Sequence, residues 1–110
     1  MTAEEALICL VTVPEAHARA LAKRLVASRL CACVHVQASG YSVYRWQGAV
    51  EEAQECQLLI KTARTRLAEL KQAILQHHPY ELPEILAVSV ADAHIPYLDW
   101  LLDACAEPSP

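Results

Sequence analysis

His77 and His78 stand side by side immediately before Pro79, and imidazole nitrogens are ligands that suit copper and zinc. Adjacent side chains on a helix point about 100° apart, so the pair can share one ion only if the helix unwinds at the proline. The same pair also reads as a helix ending, because histidine near a helix C-terminus is favoured by the macrodipole. Thiols are the other soft donors: Cys9, Cys31, Cys33, Cys56 and Cys105. An odd set without a Cys-x-x-Cys pair points to reduced thiols rather than to a disulfide framework, a thioredoxin-type couple or a zinc knuckle. Cys31-Ala32-Cys33 is a C-x-C step able to hold a soft metal, although each cysteine also reads as a small core hydrophobe.

Catalytic patterns are scarce. Ser28, Ser39, Ser42 and Ser89 lie in no nucleophile elbow, and no H-E-x-x-H is present. With two glycines in the chain, no G-x-G-x-x-G or Walker-type loop exists to cradle phosphate. A cysteine–histidine nucleophile pair stays open, because such pairs meet only in the fold. The reading is a protein that is not an enzyme and carries no organic cofactor.

A net charge of −4, with lysine and arginine scattered, leaves no basic stripe to track a phosphate backbone, so nucleic acid is not an expected partner. Glu4 and Glu5 stand where a signal peptide would carry basic residues, and the apolar run Ala6–Val13 is far too short to span a bilayer. A cytoplasmic protein with no membrane partner is expected. Mean hydropathy of +0.19 is high for a monomer of this size, whose surface-to-volume ratio demands polar coverage. The excess apolar surface is expected at a subunit interface.

The elements that must position these groups follow from periodicity. Ala6–Val13 reads as a buried strand. A helix should follow, with Thr12 as its N-cap, Glu15 at the capping-box position and Pro14 in the first turn. Its apolar stripe is Ala18, Leu21, Ala22, Leu25 and Val26, and it should end near Ser28 or Arg29. A strand from Cys33 to Gln37 is broken at Ala38-Ser39-Gly40 and resumes over Tyr41–Trp46; Gln47-Gly48 turns it back into Val50–Thr62. A second helix, about Thr65–His77, turns Leu67, Leu70, Ala73 and Ile74 inward. A last strand over Glu84–Val90 and a short helix from Pro96 to about Cys105 complete the order. One domain is expected over 1–110, with its core at about 6–105 and a frayed tail at 106–110.

The order β-α-β-β-α-β plus a C-terminal helix predicts an α+β, ferredoxin-like fold: two right-handed crossovers put helices on one face of an antiparallel sheet. The opposite face holds too many apolar residues to meet water and should pack against other copies of the chain. Glu51, Glu52 and Glu55 on the long hairpin read as a solvated acidic run. His17 and His94 read as surface residues, and His35 as a sheet histidine.

Several segments, in order, resemble the CutA divalent-cation tolerance family. They are Thr12-Val13-Pro14, Arg29–Val34, Tyr41–Gly48, Leu59–Thr62, His77–Ile85 and Tyr97–Leu101, so the likeness runs from about Leu7 to about Leu102. The resemblance implies a ferredoxin-like homotrimer whose long hairpins pair between subunits, and a role in tolerance to divalent cations, copper(II) above all. It implies His77 and His78 as metal ligands. In metal-binding relatives a cysteine three residues before the helix-starting proline accompanies these histidines; here that position is Val11, and the nearest thiol, Cys9, lies about 6.6 Å away along the strand. The resemblance also implies a groove between subunits, lined by Tyr44, Trp46, Lys61, Tyr80 and Glu84, in which a small ligand or ion would bind. An interfacial Lys61–Glu84 ion pair is the simpler structural alternative for the same residues. A trimeric regulatory module binding a small ligand is accordingly the second functional reading.

Overall fold

The computed structural model describes residues 2–107. After a short 3₁₀ turn, the order is β1 (Ala6–Val13), α1 (Glu15–Ala27), β2 (Cys33–Val36), β3 (Gly40–Trp46), β4 (Ala49–Ala63), α2 (Leu67–His77), β5 (Leu86–Ser89) and α3 (Ile95–Ala104). The sheet runs β2-β4-β1-β5 with every neighbouring pair antiparallel, and β3 pairs with the distal half of β4. With α1 and α2 as the crossovers, this is the ferredoxin-like arrangement that the element order predicts.

Alternation along the central strands sorts the two faces. Leu7, Cys9, Val11 and Val13 of β1 are buried, as are Cys56, Leu58, Ile60 and Thr62 of β4. The deep core joins Cys9, Val11, Leu58 and Ile60 to Leu21 and Leu25 of α1 and Leu70 and Ile74 of α2. Leu98, Leu101 and Cys105 form a second cluster with Ala6, Ala32 and Ala63, which seats α3 at the end of the sheet. The other face takes the intervening residues. The pairings Ile8↔Lys61, Ile8↔Val88, Leu10↔Leu59 and Leu10↔Leu86 put Ile8, Leu10, Leu59, Leu86 and Val88 together on it. The crossover helices pack on the opposite face and α3 reaches only the Ala6–Ala63 end of this one, so Leu86 and Val88 remain 57% and 50% exposed.

Local chemistry fixes the connections. Gln47 and Gly48 both have positive φ, 49° and 82°, the pattern of the two-residue type I′ turn that suits a twisted hairpin. At the end of α1, Arg29 enters the left-handed region at φ 61°. Arg29 N–H then donates to the Val26 carbonyl and Leu30 N–H to the Leu25 carbonyl, a Schellman closure with buried Leu25 and Leu30 side by side. The Thr62 hydroxyl anchors the same turn by donating to the Leu30 carbonyl at 2.7 Å.

The boundaries that differ most from the sequence reading have local causes. Thr12 does not cap α1: the β1–β4 ladder continues through Thr12↔Gln57 and Val13↔Cys56, so Thr12 stays extended and Pro14 becomes the N-cap. The second helix starts as a 3₁₀ turn over Arg64–Arg66, with α geometry from Leu67. β5 is trimmed to Leu86–Ser89, because only those residues face Leu7–Leu10 of β1. Of the expected tail, residues 108–110 lie outside the described part, while Glu107 is tied to buried Arg66 by a 2.9 Å ion pair. Among the described residues no helix is long and apolar enough to cross a membrane.

Candidate functional site

The hairpin β3–β4 and the segment that follows α2 enclose a groove of about 710 Å³. Tyr44 and Trp46 of β3, Glu55 of β4, and Tyr80 and Glu84 beyond α2 all line it. A smaller hollow of about 330 Å³ is also lined by Thr12, Ser42, Glu55 and Glu84, together with Gln57. Thus four of the five residues named for a ligand groove meet on one wall system within a single chain. Lys61 does not join them. It lies on the uncovered sheet face with its Nζ 3.9 Å from the Cys33 Sγ, so within one chain it makes no pair with Glu84.

His78 holds the groove segment in place. Pro79 ends α2, and the chain turns so that the His78 ring is buried against β1. Its Nε2 lies 2.7 Å from the Thr12 carbonyl oxygen, and its Nδ1 lies 3.1 Å from the Tyr80 backbone nitrogen. A carbonyl can only accept and a backbone N–H can only donate. The ring is therefore the neutral Nε2–H tautomer with both nitrogens engaged. Tyr80 packs against it at a centroid distance of 4.9 Å. His77, by contrast, is exposed at the last position of α2. The two histidines thus have different environments, and an ion at His77 gains His78 only if the latter surrenders a hydrogen bond.

The thiols are placed for packing. Cys9 is fully buried on the helix-facing side of β1, and burial pushes its thiol up to about 11. Burial pushes Cys31 up to about 12. Both are held as neutral thiols at pH 7, whereas metal binding needs the thiolate. Val11, at the position of the family cysteine, is itself core. Among the described residues no three His, Cys, Asp or Glu side chains gather as a metal cluster.

Glu55 is the residue the sequence reading missed. It was expected in a solvated acidic run, yet it is 9% exposed and accepts a hydrogen bond from the Tyr80 hydroxyl at 2.7 Å. The reason is position along β4: Glu51 and Glu52 sit out on the hairpin arm opposite β3, whereas Glu55 lies where the arm meets the sheet and Tyr80 folds over it. Strand parity gave no signal, since Glu55 shares the uncovered face with Leu59 and not the core face of Cys56 and Leu58. Burial, with the bond to Glu55 and its charge, pushes the Tyr80 hydroxyl up to about 12. Burial and the Glu55 charge also raise the Glu84 carboxyl above its usual range.

The family model of the CutA1 divalent ion tolerance protein matches residues 7–104, almost the whole of this fold. The chain belongs to the CutA family. Similar proteins include the divalent-cation tolerance protein CutA of Thermus thermophilus, 47% identical over 95 residues, which covers 86% of this chain and 92% of that protein. Among solved structures, CutA of Xylella fastidiosa superposes with a TM-score of 0.90 at 36% identity, covering 93% of this chain and 99% of that one. A PII-like protein CutA from Nostoc gives 0.86 at 31% identity, covering 91% and 97%.

Proposed function

We propose that this protein is a cytoplasmic homotrimer that serves divalent-cation tolerance by binding rather than by catalysis, with copper(II) or a similar ion contacting the exposed His77 imidazole. The uncovered sheet face carries the assembly. Half-buried Ile8, Leu10 and Leu59 and exposed Leu86 and Val88 form one apolar surface on the side of the sheet away from α1 and α2. Each 100 Å² of such surface removed from water is worth about 2.5 kcal/mol, against a net stability of about 5–15 kcal/mol for a whole domain. Association of copies through this face is therefore a large part of what holds each chain folded.

His77 supports the metal contact because its imidazole is exposed, whereas His78 and the buried thiols are committed to the fold. A single imidazole per chain makes the contact weak and exchangeable, which suits tolerance better than storage. Titration calorimetry with copper(II) tests it: His77→Ala should lose most of the heat and keep the parent's melting temperature. Unchanged affinity in that variant would contradict the assignment.

A second reading, a small-ligand module, is favoured by one observation. Glu55, Tyr80 and Glu84 converge on a groove much larger than an ion. Ligand-dependent melting that survives His77→Ala would support it.

A further inference from the structure

We draw no further inference here: the strongest candidate, the outward face of α1 with exposed Arg19, Lys23 and Arg24, which form no ion pair among the described residues, is a solvated charged surface, and nothing in the structure shows what covers it.

Discussion

Replacing His78 by alanine separates the structural histidine from its neighbour. The substitution deletes the Nε2–H bond to the Thr12 carbonyl at 2.7 Å and the Nδ1 acceptor for the Tyr80 N–H at 3.1 Å. It also removes the ring packed at a tilt 4.9 Å from Tyr80, and so loosens the segment that carries Tyr80 and Glu84. Each deserted buried polar group costs about 1–3 kcal/mol. The site opens toward the groove, where water can enter and recover part of that loss, so the expected total is about 2–4 kcal/mol per chain. His77→Ala, at an exposed helix end, should change stability by about 0.5 kcal/mol or less. Urea unfolding followed by circular dichroism measures both, at matched protein concentration because the proposed association would add to apparent stability. If His78→Ala unfolds within about 0.5 kcal/mol of the parent, or if His77→Ala costs as much as His78→Ala, the assigned roles are wrong.

Three other outcomes are expected. Folding raises the acid groups Cys9, Cys31 and Tyr80 to about 11, 12 and 12 from usual values of 9, 9 and 10, so the folded state favours their protonated forms. Their contribution is complete below about pH 9 and is lost as pH climbs toward 12. The melting temperature should fall between pH 9 and 11, with a shallower fall in Cys31→Ala; a flat profile in the parent contradicts this. Gly48→Val, at φ 82°, should lower stability by about 1–2 kcal/mol through strain in the hairpin turn, read from the same urea curves; no loss would mean the turn tolerates a β-branched residue there. Leu59→Glu places a charge in the middle of the uncovered sheet face and should abolish assembly, read by size-exclusion chromatography; an unchanged elution volume would move the interface elsewhere.

Much of the fold was legible because its signals are local. The alternation in β1 and β4, the stripe of α1 and the Gln47-Gly48 turn each depend on neighbours in sequence. Thr12 misled for the opposite reason. Its cap chemistry is genuine, but a ladder with Gln57, remote in sequence, kept it extended and left its carbonyl for His78. The candidate site was half legible. Tyr44, Trp46, Tyr80 and Glu84 carry the family's pattern, whereas the burial of Glu55 comes from the way Tyr80 folds over β4. Neighbouring acids in a sequence look alike until a tertiary contact takes one of them out of water. His77 and His78 are likewise identical as letters and become different only through β1.

Sedimentation equilibrium from nanomolar to micromolar concentration tests the central claim, that the bare face of the sheet is an interface between copies. Three chains of 12.1 kDa should sediment together as a particle of roughly 36 kDa. At the lowest concentrations any dissociated chain should have lost its circular dichroism signal, and the melting temperature should rise with concentration. A folded monomer of 12.1 kDa across that range would contradict the account.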